Sequence, residues 1–202
     1  MNIISYSVLS KKPRLLKLLF TLGFLTTSLF LSMSQARATG TQNAALVNQQ
    51  IAQAEVVGEG RLIYWGFKLY DAQLFASRES QGGYALDLQY LRQFEAQDLY
   101  KQTVEEMEKM GVTKEKRALW DPQLSKAFKT VKKGDSITAI KKSRDVTQLF
   151  HNGLLFSEIR GDELSKAFFS IWLHPRTSVP KLRQSLLGNS CPRLNLEAYC
   201  NE

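Results

Sequence analysis

Metal-ligating and redox-active side chains are scarce in this chain. Its 202 residues include two histidines, His151 and His174, and two cysteines, Cys191 and Cys200. The histidines stand far apart and both cysteines lie in the tail, so no metal-ligand spacing forms. The segment CPRLNLEAYC is not a CxxC pair, which excludes a thioredoxin-like redox motif. A lipobox cysteine, an internal repeat and a low-complexity tract are also lacking. The first 38 positions hold no acidic residue, yet they carry Lys11, Lys12, Arg14, Lys17 and Arg37. Without those five, the 27 basic residues fall to 22 against 19 acidic ones, and the formal net charge falls from +8 to +3. The basic balance belongs to the N-terminus and does not point to nucleic acid.

The same N-terminus has what a targeting segment needs. An apolar run from Leu18 to Met33 follows the basic start, and Ala36-Arg37-Ala38 offers small residues at the spacing a signal peptidase prefers. Residues 1–38 therefore read as a secretory signal peptide, cleaved after about Ala38, of an exported, periplasmic protein. The alternative is an uncleaved N-terminal helix that anchors the chain. Export favours a disulfide between Cys191 and Cys200 over two free thiols. It would close the tail, residues 191–202, and contribute roughly 2–3 kcal/mol in the chain-entropy picture. Residues 39–53 are polar and rich in Ala, Gln and Asn, and read as a linker. Residues 54–190 then suit one domain with a full core.

Within that domain the hydrophobic period changes several times. Val56 to Ala76 reads as strand, with Gly66 as a bend or bulge. Tyr84 to Leu91 alternates, so Tyr84, Leu86, Leu88 and Tyr90 share one face while Asp87 and Gln89 point the other way. Glu95 to Met110 has a helical stripe ended by Gly111, and Thr113 caps a second helix that Pro122 interrupts. Ser136–Lys141, Thr147–His151 and Leu154–Ile159 read as strands, and Asn152-Gly153 is a hairpin turn because both positions tolerate φ > 0. Asp162 is a candidate cap for an almost wholly apolar helix carrying Leu164, Phe168, Ile171 and Trp172, which must be buried on two sides. Ser178 and Pro180 open the last helix and Gly188 closes it. Strands joined by hairpins and helices grouped in blocks make an α+β layer, one antiparallel sheet with helices packed on a face.

The blocks GEGRLIYWGFKLYDAQLF, YALDLQYL, QLFHNGLLFSEI and AFFSIWLHPRTSVPKLRQSLLG, spread from Gly58 to Gly188, resemble the bacterial exported branch of the chalcone isomerase-like family. The resemblance implies an open-faced β-sandwich, a large antiparallel sheet with helices over one face and a cleft between them. Some members cyclise chalcones with an arginine and a cluster of hydroxyl, lysine and asparagine side chains. Others bind fatty acids, an arginine and a tyrosine holding the carboxylate. Carried over by residue, Arg61 stands for the arginine and Tyr100 for the tyrosine of the first helix. Trp65 or Tyr64 stands where the catalytic threonine belongs, and Met107 near the asparagine, so two groups of the reaction are missing.

These readings select Arg61, Tyr64, Tyr70 and Tyr100 as ligand-binding residues, a guanidinium and phenols suited to a carboxylate in an apolar cleft. No catalytic residue, metal or cofactor is assigned. Lys126 to Arg144 is a basic stretch available for peripheral contact with anionic lipid. The reading is an exported, non-catalytic protein that binds a small lipophilic ligand, a fatty acid or similar carboxylate. The alternatives are an intramolecular lyase of chalcone isomerase type and an envelope interaction protein without ligand.

Overall fold

Alternation along the strands decides which side chains meet which helices. In a computed structural model that describes residues 35–79, 82–142, 145–188 and 196–200, the strands are β1 (Ala54–Tyr64), β2 (Phe67–Ser77), β3 (Tyr84–Tyr90), β4 (Ser136–Lys141), β5 (Val146–His151) and β6 (Leu154–Arg160). They form one six-stranded sheet in chain order, and every neighbouring pair is antiparallel. The helices are α1 (Gln35–Gln50), α2 (Ala96–Lys109), α3 (Lys114–Leu124), α4 (Asp162–Leu173) and α5 (Pro180–Leu187), followed by a 3-10 turn at Glu197–Tyr199. The architecture is the α+β open sheet that the residue pattern implies.

Tyr84, Leu86, Leu88 and Tyr90 of β3 do share one face, and they join the main core with Phe168, Phe169 and Trp172 of α4. Phe169 is fully buried, with its ring 4.8 Å from that of Tyr84. The Tyr84 hydroxyl lies 2.9 Å from that of Tyr199, which ties the tail to the sheet. Cys191 lies outside the described residues, and so does its predicted bond to Cys200.

Part of the opposite face is covered too, which corrects the reading of residues 39–53 as a linker. Residues 35–50 form α1, and its Val47, with Ile51 just beyond, packs on Phe75, Ala85, Ile140 and Phe150. So few large apolar residues in a polar segment leave a faint periodic signal, and the sheet supplies most of the apolar surface.

Polar chemistry locks α1 in place. The buried Asp87 carboxylate accepts from Asn43 Nδ2 at 3.1 and 3.0 Å and from Thr138 Oγ1 at 2.7 Å. Burial pushes its pKa up to about 6, against the pull of the bonds from Thr138 and Asn43. A carboxyl whose folded pKa exceeds the unfolded one holds its proton longer in the native state. Its ionisation therefore costs stability as pH rises from about 4 to about 6, on the order of 3 kcal/mol in full. Asn at this position does not titrate. The unfolding free energy of wild type minus that of Asp87→Asn should thus fall by about that amount between about pH 4 and about pH 7.5, measured by urea denaturation. A difference that stays flat with pH would show that Asp87 is not desolvated.

Local details depart from the sequence reading in four places, the first being Pro122, which lies inside α3 and does not interrupt it. Gly66 marks a bend and not a bulge: Trp65 (φ 50°) and Gly66 (φ 80°) form a two-residue hairpin turn, the conformation also taken by Asn152 (φ 50°) and Gly153 (φ 81°). Asp162 is not the cap of α4; Gly161 holds that position, and the Asp162 carboxylate instead accepts from Lys141 and Lys166, each at 2.8 Å. Those bonds hold its pKa below the usual carboxylate range. Val179 rather than Ser178 precedes α5, with Pro180 at its start. The cap at Thr113 is as read, its hydroxyl accepting from the Lys116 amide at 3.4 Å.

Candidate functional site: a cleft between sheet and helices

Register sorts the candidate residues onto two faces. Leu62 pairs with Tyr70, and Tyr70 with Tyr90, so all three point to the helix side. One residue along, Arg61 pairs with Asp71 and Asp71 with Gln89, and these point to the other side. On the helix side a cleft of about 650 Å³ opens between the sheet, α2 and the α4–α5 region. Leu62, Leu88 and Ile137 floor it, Leu99 of α2 walls one side, and Phe168, Ile171 and Trp172 of α4 wall the other. The volume and the apolar lining suit a small lipophilic molecule.

A few polar groups interrupt that lining. Trp172 Nε1 donates to the Tyr70 hydroxyl at 2.9 Å, and the rings of Tyr70 and Tyr90 stand 5.9 Å apart, edge to face. Burial pushes both phenols far above their ordinary range, so they stay protonated and act as donors. Tyr70 spends an acceptor site on Trp172 and keeps its own proton to give. The Tyr90 hydroxyl makes no hydrogen bond among the described residues. Glu106 lines the cleft from α2 and accepts from Lys109 Nζ at 2.8 Å and Gln102 Nε2 at 3.0 Å. Burial alone would raise its pKa, but bonds from Lys109, Ser178 and Gln102 hold it lower. Lys129 also lines the cleft, with its ammonium 5.2 Å from the Phe156 ring centre.

The predicted site divides accordingly. Tyr70 lines the cleft, and so does Tyr64, which is 63% exposed. Arg61 does not. Its Nε and Nη2 donate to the Asp71 carboxylate at 2.5 and 2.9 Å on the far face of the sheet. The cause is the strand period of two, which turns Arg61 away whenever Leu62 points in. Tyr100 is also outside the cleft; its hydroxyl donates to Asp121 Oδ1 at 2.9 Å and ties α2 to α3. Met107 is buried in the core. Sequence reasoning missed Tyr90, Glu106 and Lys109. Tyr90 was findable, since it alternates with Leu88 and Leu86, but its pairing with Tyr70 depends on a register that only the folded sheet shows.

The basic stretch does not form one face. Lys126, Lys129, Lys132 and Lys133 precede β4, whereas Lys141 and Lys142 lie at its other end, about 17 Å away. Lys141 is buried against Asp162, and Lys142 donates to Gln50 of α1. Arg144 lies outside the described residues.

A family profile described as chalcone isomerase-like matches residues 63–188. The chain belongs to the chalcone isomerase-like family. The crystal structure of a fatty-acid binding protein from Arabidopsis thaliana is similar to this one, with a TM-score of 0.53 at 11% identity over 69% of this chain and 89% of that one. At that identity the likeness shows the chalcone isomerase-like fold alone. No curated protein matches the chain in sequence.

Proposed function

We propose that this chalcone isomerase-like protein binds a small lipophilic carboxylate, such as a fatty acid, without transforming it. The observation that carries the reading is the cleft of about 650 Å³, apolar on the sheet and α4 sides, polar along α2, and supplied with the phenol donors of Tyr70 and Tyr90. The alkyl chain lies along Leu62, Leu88 and Ile137. The carboxylate accepts from Tyr70 and Tyr90, with the Lys129 ammonium supplying positive charge in the lining, while Lys109 is held by Glu106. The Arabidopsis thaliana protein of similar fold is a fatty-acid binding protein, which is consistent with that ligand class. The Met107 thioether, near the place where the family resemblance puts an asparagine, gives no hydrogen bond to an anionic oxygen, which favours binding over catalysis.

Export belongs to the same proposal. Residues 1–38 act as a signal peptide, and removing them would leave Asn43, Val47 and Ile51, the residues that fasten α1 to the sheet. The Cys191–Cys200 bond is proposed for the oxidising compartment that export leads to.

The direct experiment is native mass spectrometry of the purified protein, followed by titration with dodecanoate and hexadecanoate. A co-purifying lipid or saturable uptake is the expected result, and Tyr70→Phe should weaken uptake about tenfold, the loss of one hydrogen bond to a charged group. Empty protein that takes up neither acid removes the proposal. Turnover of a chalcone by wild type would move the assignment to an intramolecular lyase.

A further inference from the structure

The β1–β2 turn is built against its own preferences. A two-residue turn of this kind needs φ > 0 at both central positions, which favours Asn, Asp or Gly at the first. The β5–β6 turn of the same sheet obeys, with Asn152 at φ 50°. The β1–β2 turn places Trp65 at φ 50°, a strained choice for an L-residue without a local hydrogen-bonding side chain. The indole gains little inside the chain to offset this: it is 84% exposed and meets the likewise exposed Tyr64 ring edge to face at 6.3 Å. Ile63, Tyr64 and Phe67 around it are 54%, 63% and 61% exposed. Strain and uncovered aromatics at one tip point to something outside the chain.

Its surroundings say what. The Arg92 guanidinium sits 5.1 Å from the Phe67 ring centre, and Lys68 follows directly. Strand direction brings the loops holding Arg92, Lys132 and Lys133 to this same end of the sheet. The β5–β6 turn is there too, followed by Leu154 and Leu155, which are 75% and 51% exposed. Asp135, in the same loop as the two lysines, is engaged by the Lys132 amide and Asn152. Aromatic tips flanked by Lys and Arg match a bilayer interface with anionic headgroups, where indole and phenol rings settle and basic residues meet negative charge. Tyr64 belongs to both this tip and the cleft lining, so the two surfaces are continuous.

We propose that this end of the sheet, led by Trp65, docks on an anionic phospholipid bilayer and turns the cleft toward it. The purpose of that orientation rests on the lipophilic-ligand reading; the docking itself rests on the turn and its charges. The test uses the full chain as the cell produces it, wild type beside Trp65→Asn, so that any contribution from residues 1–38 is common to both. Asn suits the turn, so the variant folds at least as well, which a thermal melt checks. Vesicles of phosphatidylglycerol mixed equally with phosphatidylethanolamine, with and without brominated acyl chains, are compared with phosphatidylcholine vesicles. The chain has three tryptophans, and the other two, Trp120 and Trp172, are not fully exposed. Brominated lipid should therefore quench an emission component that Trp65→Asn lacks. The variant should bind the anionic vesicles about tenfold more weakly, and Lys132→Glu with Lys133→Glu should remove the preference for phosphatidylglycerol.

Unquenched Trp65 emission, or equal vesicle binding by wild type and Trp65→Asn, overturns the docking. So does a Trp65 blue shift that depends on protein concentration without vesicles, which would assign the tip to a second copy of the chain. Dodecanoate uptake from vesicle-free solution separates the two claims. It should be the same in wild type and Trp65→Asn, and its absence from both, with quenching intact, removes the cleft reading alone.

Discussion

Leu88→Trp should abolish most ligand uptake while leaving the fold nearly as stable as wild type. Leu88 lies on β3, paired with Ala72 on one side and Ile137 on the other, and its side chain floors the cleft. A larger side chain in a close-packed core forces its neighbours apart. Here the indole has an open space of about 650 Å³ to enter, so it displaces ligand volume rather than protein. Dodecanoate affinity should drop by about tenfold or more, with little change in the denaturation midpoint. The matched control is Arg61→Ala. The Arg61–Asp71 pair is on the far face of the sheet and largely exposed, where such pairs contribute little. Uptake should be unchanged in that variant, although the family resemblance alone makes Arg61 the carboxylate clamp. If Arg61→Ala loses binding and Leu88→Trp keeps it, the ligand sits on the wrong side of the sheet for this proposal.

The same pair of residues shows where sequence reasoning runs out. Strand existence was legible because alternation repeats: Tyr84, Leu86, Leu88 and Tyr90 share a face, and they share it in the structure. The Asn152-Gly153 turn was legible because two adjacent positions with φ > 0 restrict the choice of residue. The apolar helix bearing Phe168 and Trp172 was legible because no surface position tolerates that many large side chains together. Which face of the sheet meets the helices was harder in β1. There Glu59, Arg61, Leu62 and Tyr64 are each partly or fully exposed, so the burial contrast that marks a face is weak. The face of Arg61 follows only from its pairing with Asp71, a contact across strands. Trp65 was hidden for a different reason. An aromatic beside a glycine looks like strand, and only the backbone conformation shows that it occupies a turn position meant for asparagine. The helix over residues 35–50 was missed because the sheet, not its own periodicity, supplies the apolar partner.

Close approach of backbones makes the strongest stability prediction, at Gly58. A Cβ there would lie 2.3 Å from the Ser185 carbonyl oxygen and 2.5 Å from that of Leu186, both in α5. Neither atom belongs to a flexible side chain, so β1 and the helix must separate. Gly60 repeats the approach more gently, its added Cβ meeting Leu182 Cδ1 at 2.8 Å and Ser185 Cβ at 2.9 Å. Separation withdraws the buried Leu182, Leu186 and Leu187 from the core. It also disturbs Ser178, two residues before α5, which lines the cleft together with Glu106. Gly58→Ala should therefore cost about 3 kcal/mol or more, at the upper end for overpacking, and weaken ligand uptake with it. Gly66→Ala makes the contrast. Nothing lies within 4 Å of its added Cβ, and only the φ of 80° resists, so the cost should be about 1 kcal/mol with uptake intact. Urea denaturation of the two variants ranks them directly. Equal losses, or a Gly58→Ala protein as stable as wild type, would show that α5 does not lie backbone to backbone on β1, and the cleft would then lose the neighbour that positions Ser178.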